Sequence, residues 1–250
     1  MNLLIGGIKE ASTIDYPGEL VSVLFLCNCP FRCPFCHNWA LLCEEECDKV
    51  NTDIILKKVE RNSKYITGIC ITGGEPTVQI EGLLELLTKT RERGLLNKLD
   101  TNGYYHDRLE RLLSLKLLDY IALDVKAPLI PAIYGKTIGN PAIGEKAVKN
   151  VSATLRILEN SSSPYEIRTT IVPNLNDSIQ LIEQIAEELS KFNVPRYILQ
   201  QFRATGGTLD KAYSKLPATD HNLLLKLAEI AKKYIPDVRI RTIEAGEEKV

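Results

Sequence analysis

Three cysteines stand at CxxxCxxC spacing in the segment Cys29-Pro30-Phe31-Arg32-Cys33-Pro34-Phe35-Cys36. Thiolates bind iron–sulfur clusters, and a cluster usually takes four of them. A loop that offers three leaves one iron of a [4Fe–4S] cluster without a protein ligand, so that iron can take an exogenous molecule. Two other uses of the same thiols stand beside this one. A structural zinc site takes four ligands and commonly pairs two knuckles, and three cysteines can simply be buried. Seven cysteines in one chain, with Cys27 standing close before the other three, favour a metal, and the missing fourth ligand favours the cluster over zinc.

Further along, polar motifs close a series of apolar runs. Gly73-Gly74-Glu75-Pro76 puts two glycines where a backbone can approach a ligand closely and leave its carbonyls open to it; a plain glycine turn is the other reading. Asp100-Thr101-Asn102-Gly103 and Asp124-Val125-Lys126 end two more runs. Residues two apart on a strand face the same side, so Asp124 and Lys126 can address one ligand, the aspartate suiting ribose hydroxyls and the lysine a carboxylate. A simple ion pair, Asp124 with Lys126 or Asp100 with Lys126, is the alternative. Arg168 lies in Glu166-Ile167-Arg168-Thr169-Thr170-Ile171-Val172-Pro173, whose Ile171 and Val172 are residue types usual in a strand core. Gln201 and Arg203 are weaker candidates. Cys27 and Cys70 lie in apolar runs and read as small buried hydrophobes. Cys43 and Cys47, four apart, would share one face of a helix, as a second metal site or a redox pair. His37 is placed to line the site, and His106 and His221 read as surface residues.

The cysteine loop, with Phe35 just before its third cysteine, resembles the cluster loop of the radical S-adenosylmethionine (SAM) enzymes. His37-Asn38 after the loop and Asp15-Tyr16-Pro17-Gly18 before it resemble the enzymes that activate glycyl-radical proteins. Within that group Asp15–Gly18, Cys29–Asn38, Gly73–Pro76 and Asp124–Pro128 are most similar to the activating proteins of anaerobic ribonucleoside-triphosphate reductases. The resemblance implies a [4Fe–4S] cluster on Cys29, Cys33 and Cys36, and SAM bound at its open iron. It implies SAM contacts from Phe35, Asn38, Gly73, Gly74, Glu75, Asp100, Thr101, Asp124, Lys126, Arg168 and Val172. The Gly73–Glu75 segment would hold SAM's amino group, Arg168 its carboxylate or ribose, and Val172 would pack on adenine. Asp100, Thr101 and Asp124 also match a monovalent-cation site. The partners implied are a glycyl-radical enzyme and a low-potential electron donor such as ferredoxin or flavodoxin. A radical SAM enzyme acting on a small molecule or RNA would keep the same motifs, and a zinc-binding scaffold is the reading from a different class.

The elements that must position these residues alternate along the chain. Strands are expected at 21–27, 68–72, 97–102, 119–125, 165–172, 196–202 and 238–243. Helices are expected at 52–62, 82–93 and 106–117, after a Pro- and Gly-rich loop at 127–144, after the capping segment Asn176-Asp177-Ser178, and after Thr219-Asp220. Only a short tail would follow residue 243. Repeated βα units predict an α/β chain with parallel strands and right-handed crossovers, and the resemblance implies the partial (β/α)6 barrel of the radical SAM kind. A chain of 250 residues can bury roughly 70–75% of its unfolded surface in one core, so residues 1–250 are read as a single domain. Charged residues make up 25% with a net charge of −1, and no basic tract marks a nucleic-acid footprint. No export signal or membrane-length apolar run is seen, so a cytoplasmic protein is expected, with its odd number of cysteines reduced or metal-bound rather than in disulfides.

Overall fold

The computed structural model describes residues 1–61 and 64–250; Asn62, the end of the first expected helix, lies outside them. The chain divides into two compact units. The first comprises Met1–Pro30, Asn38–Ala122 and Ser161–Pro164, and the second Phe31–His37, Leu123–Asn160 and Tyr165–Val250.

In the first unit β1 (Asn2–Ser12), β2 (Val21–Leu26), β3 (Asp48–Asn51), β4 (Gly68–Gly73) and β5 (Leu96–Thr101) lie in the order β3-β1-β2-β4-β5. β2, β4 and β5 are parallel, with Val21 opposite Gly68 and Gly68 opposite Leu96. Val21, Val23, Leu24 and Leu26 are all fully buried, as expected for a parallel strand covered on both faces. The helices α1 (Thr52–Arg61) and α2 (Ile80–Glu92) make the crossovers, and α3 (His106–Ser114) follows β5. α1 buries Ile55, Leu56 and Val59, and α2 buries Leu83, Leu84, Leu86 and Leu87. This three-and-four spacing turns one stripe to the sheet.

β6 (Tyr120–Asp124) starts in the first unit and ends in the second. The second unit continues with α4 (Pro131–Thr137), α5 (Gly144–Glu159), β7 (Tyr165–Ile171), α6 (Ile179–Leu189), β8 (Tyr197–Gln201), α7 (His221–Ala231), β9 (Val238–Thr242) and β10 (Gly246–Lys249). β7, β8 and β9 are parallel neighbours, and β10 adds antiparallel to β9. Two of the expected capping segments supply N-caps: Ser178 Oγ accepts from the Leu181 amide at 3.3 Å and Asp220 Oδ1 from the Leu223 amide at 3.0 Å.

The structure departs from the sequence expectation in several places, among them the short strand β3, where none is expected. β1 is interrupted by Gly6-Gly7 at a register shift between Ile5 and Gly7, which hides its alternation. β10 is Gly-Glu-Glu-Lys, poor in strand formers, and is held instead by Arg239 and Arg241, which both pair with Glu247. The segment 127–144, expected as a loop, contains α4, because Pro131 takes the first helical position where its missing N–H costs nothing. Finally, Cys27 is not a lone buried hydrophobe and Cys47 does not share a helix face with Cys43. Cys27 and Cys47 form a disulfide, with their Cα atoms 6.5 Å apart. Cys43 and Cys47 flank a one-turn 3-10 helix, Glu44–Glu46, in extended conformation, so no α-helix exists to align them.

Candidate cluster and cofactor site

Cys29 lies in the first unit, three residues beyond the end of β2. The backbone before it is set by Asn28 in a left-handed conformation (φ 72°), whose amide donates to the Leu41 carbonyl at 2.8 Å and whose carbonyl accepts from the Glu75 amide at 2.7 Å. The glycine pair after β4 makes that approach possible. Gly73 has φ 116°, a Cβ there would overlap the Leu26 carbonyl, and one on Gly74 would overlap the Asn28 carbonyl. The close contact that demands glycine is therefore with the chain's own cysteine loop. Asn38 Nδ2 donates to the Gly73 carbonyl at 3.0 Å, and Asn102 Nδ2 lies 3.5 Å from Cys29 Sγ.

The Glu75 side chain is fully buried and turns into the fold. It accepts from the Thr77 amide (3.0 Å) and hydroxyl (2.5 Å), from the Thr101 hydroxyl (2.9 and 3.0 Å to its two oxygens) and from the Asn102 amide (2.7 Å). Burial pushes its carboxyl above the ordinary value, and these donors pull the other way. Glu75 thus ties the end of β4 to the end of β5 and fixes Asn102 against Cys29. On β5 itself, Asp100 Oδ1 is met at 2.5 Å by the ammonium of Lys98, which is 2% exposed.

Cys33 and Cys36 belong to the second unit, at a turn in which the Cys36 amide donates to the Cys33 carbonyl at 3.0 Å. The loop after β8 clamps this turn, the Leu209 amide donating to Cys36 O (3.1 Å) and the Asp210 amide to Pro34 O (2.9 Å). From α4, Ile138 accepts the Arg32 amide at 2.8 Å, and Tyr134 meets Phe31 edge-on. Gly139, at φ 66°, leaves no room for a Cβ against the Arg32 carbonyl. Gly139→Ala should therefore cost about 2–5 kcal/mol, from left-handed strain plus overpacking; urea unfolding measures it, and a cost below ~1 kcal/mol would show that α4 does not brace the loop.

At the end of β6 the Asp124 carboxylate is held from both sides, Lys126 Nζ at 2.8 Å on one oxygen and Arg168 Nε at 2.7 Å on the other. Burial alone would push the Asp124 carboxyl up, but Arg168 and Lys126 outweigh it and hold the group well below the carboxylate range. Burial lowers the pKa of Lys126 as well, yet Asp124 and Cys33 bring it above its ordinary value. Cys33 is buried, which pushes its thiol up to about 12 against the pull of Lys126. A cysteine of the CxxxCxxC loop is thus within electrostatic reach of the Asp124–Lys126 pair. His37 is exposed by surface area, and the surrounding protein, then Arg203 and Lys126, shift its imidazole below its ordinary value. Val172 is fully buried, its amide donating to Asn176 Oδ1 at 2.7 Å, and Asn176 Nδ2 donates to the Lys126 and Thr170 carbonyls. Phe35 is buried too. Gln201 reaches the Thr219 carbonyl and the Ile243 amide, a structural use, and Arg203 is exposed.

The pattern of the Radical SAM superfamily matches residues 23–189 of the chain. The chain belongs to the radical SAM superfamily. Within it, the chain is 34% identical, over 97% of its length and 98% of the relative's, to a protein of Methanocaldococcus jannaschii whose name assigns it to the glycyl-radical enzyme activating enzymes. It is 30% identical to the pyruvate formate-lyase-activating enzyme of Clostridium pasteurianum, over 90% of each chain. This radical SAM chain is therefore a member of the activating-enzyme group. Solved structures agree in fold. A radical SAM methyltransferase from Sphaerobacter thermophilus superposes with a TM-score of 0.67 over 92% of this chain and 70% of that one, at 15% identity. A domain of the pyruvate-formate lyase-activating enzyme from Bacteroides vulgatus superposes with a TM-score of 0.52 over 70% of this chain and 99% of that one, at 18% identity. The α/β class with a mostly parallel, open sheet, a partial barrel, is the one expected.

Membership implies a [4Fe–4S] cluster and SAM, and the donor chemistry fits. Cys29, Cys33 and Cys36 are reduced, whereas Cys27 and Cys47 are bonded to each other. Among the described residues no three His, Cys, Asp or Glu side chains converge as they would on a single metal ion. A cluster needs soft thiolate donors and hydrogen bonds to sulfur, and the Asn102 side-chain amide supplies one to Cys29 at 3.5 Å.

Several residues that contact the expected site residues have types and spacings that point to no such role. Asn102 meets Cys29, Lys98 meets Asp100, Asn176 holds the Val172 amide, and Tyr134 and Gly139 pack against Phe31 and Arg32. Lys98 had a usable signal, since it stands two before Asp100 on one strand and so shares its face. His106, expected at the surface, is half-buried with its Nδ1 enclosed, while His221 is partly exposed and bonds Glu248 at 2.9 Å.

Proposed function

We propose that this protein reductively cleaves SAM at a [4Fe–4S] cluster and so creates a glycyl radical on a partner enzyme, with an anaerobic ribonucleoside-triphosphate reductase as the best-matched partner. The observation that carries the reading is the Asp124 carboxylate held between Lys126 at 2.8 Å and Arg168 at 2.7 Å, in the same unit as Cys33 and Cys36 of the cysteine loop. Cys29, Cys33 and Cys36 hold the cluster. When bound, the cluster supplies the electron that splits SAM's sulfonium, giving a 5′-deoxyadenosyl radical able to take hydrogen from a backbone glycine. The chain's own part is binding and orientation. Lys126 and Arg168 supply fixed positive charge for the SAM carboxylate, and Asp124, kept ionised by both, accepts from ribose hydroxyls. The backbone of Gly73, Gly74 and Glu75 meets SAM's amino group, with Asn38 orienting the Gly73 carbonyl. Phe35 and Val172 supply apolar walls. Asp100 and Thr101 complete the β5 rim, Thr101 through its bond to Glu75.

A protein target suits the chemistry, because a glycyl radical is stabilised by its flanking amides and a primary 5′-deoxyadenosyl radical is not. Residues 1–250 act as one radical SAM domain, reduced by a ferredoxin or flavodoxin in the cytoplasm. Among the described residues no helix is long and apolar enough to cross a membrane. The test mixes the reduced protein, SAM and an anaerobic ribonucleotide reductase from the same cell, and records the electron paramagnetic resonance spectrum. A glycyl doublet with one 5′-deoxyadenosine per radical is expected. SAM cleavage without a radical on this or any other glycyl-radical protein would move the target to a small molecule or RNA.

A further inference from the structure

We propose that the ammonium of Lys98 takes the place of the monovalent cation that the family resemblance implies, so that this protein binds SAM without one. The inference rests on the SAM reading above. β5 runs Lys98-Leu99-Asp100, and residues two apart share a face. Lys98 is 2% exposed, its Nζ 2.5 Å from Asp100 Oδ1 and 3.8 Å from Cys70 Sγ. Cys70 is its register partner on β4 and packs with Tyr16, Val21 and Val23. An ammonium enclosed by such apolar neighbours needs a carboxylate, and Asp100 is the one it meets.

The other two residues matched to the cation site are also engaged. Thr101, the neighbour of Asp100 and hence on the opposite face of β5, donates its hydroxyl to Glu75 and accepts from the Gly103 amide at 3.1 Å. It does not turn a hydroxyl oxygen to the Asp100 side. In the second unit Asp124 lies between two cations, Lys126 and Arg168. A further monovalent cation at either carboxylate would add a like charge beside an ammonium or guanidinium already in contact, an unfavourable exchange in a partly dry site. The donor set therefore does not fit a bound cation, and a covalently attached charge does the same neutralising work at no cost in ion capture.

The experiment is isothermal titration of SAM into the reconstituted protein in potassium, sodium and tetramethylammonium chloride at one ionic strength. The wild type is expected to change affinity less than about threefold among the salts; a larger loss in tetramethylammonium overturns the inference. Lys98→Met is expected to lose about tenfold or more in tetramethylammonium, the order of one charge-assisted hydrogen bond, and to regain it in potassium. Wild-type affinity of Lys98→Met in every salt also overturns it. Absence of SAM binding in any salt would sink the cofactor reading itself. In that event the melting temperatures of the unloaded chains still decide the inference. They support it if potassium raises that of Lys98→Met alone, and oppose it if potassium raises the wild type's.

Discussion

Anaerobically reconstituted protein is expected to lose its broad visible absorption entirely when any one of Cys29, Cys33 or Cys36 is replaced by alanine, and to keep it when Cys27 or Cys47 is replaced by serine. Three thiolates are the minimum that hold a cluster with one open iron, so losing one leaves two irons without protein ligands. Burial raises the Cys33 thiol to about 12, so only a strongly binding cationic partner keeps it a thiolate at neutral pH. The Cys27–Cys47 disulfide acts differently. It closes a loop of 20 residues and restrains the unfolded chain, worth roughly 3 kcal/mol. Cys27→Ser should lower the melting temperature of the oxidised protein while iron and sulfide contents stay at the wild-type level. Equal loss of iron from Cys27→Ser or Cys47→Ser would mean that these sulfurs are ligands and that the ligand set is wrong.

Asp124→Ala is expected to be the most damaging change at the SAM-binding pair. It leaves the Lys126 ammonium and the Arg168 guanidinium, 14% and 9% exposed, without their shared counter-ion. Breaking a buried pair by removing one partner costs about 3–5 kcal/mol. Guanidinium unfolding of the unloaded chain measures this without reference to SAM, and a cost under ~1 kcal/mol would show that water reaches the pair freely. The pH dependence follows from the directions of the shifts. Asp124 is depressed when folded, so its contribution is complete above the unfolded carboxylate value, about 3.9, and is lost only as pH falls toward the lower folded value. Lys126 is raised, so its contribution is complete below the unfolded lysine value, about 10.4, and is lost as pH rises through the folded one. Between these limits the pair stays charged, and the wild type should show no stability step from it across about pH 5–9. Asp124→Ala removes this pair's share of the acid-side loss below about pH 4 and leaves that of other depressed carboxylates such as Glu85 and Asp237.

Local chemistry made much of this protein legible before folding. CxxxCxxC names a three-thiolate loop because spacing and donor type are properties of the chain itself. The caps at Ser178 and Asp220, the leucine stripe of α2 and the apolar run of β2 are likewise local, set by nearest neighbours and by the 3.6- and 2-residue periods. The spacing of Asp124 and Lys126 puts them on one side, but it leaves open whether they address a ligand or each other, and the structure shows them bonded to each other. What tertiary structure decided are the matters in which residues far apart in sequence compete for the same partner. The Gly73-Gly74 pair reads as open to a ligand, but its close approach is to the carbonyls of Leu26 and Asn28, which only the β2–β4 register brings there. Glu75 reads as a cofactor contact, yet burial forces it to satisfy donors on Thr77, Thr101 and Asn102. Cys27 reads as a small hydrophobe, because its partner is twenty residues away in the sequence and no periodicity marks the pairing. Segment 127–144 reads as a loop from its prolines and glycines, yet contains α4, started by Pro131 at its first turn, and Gly139 after it packs on Arg32. Lys98 shares a strand face with Asp100 by spacing alone, but only the β4–β5 register encloses it against Cys70.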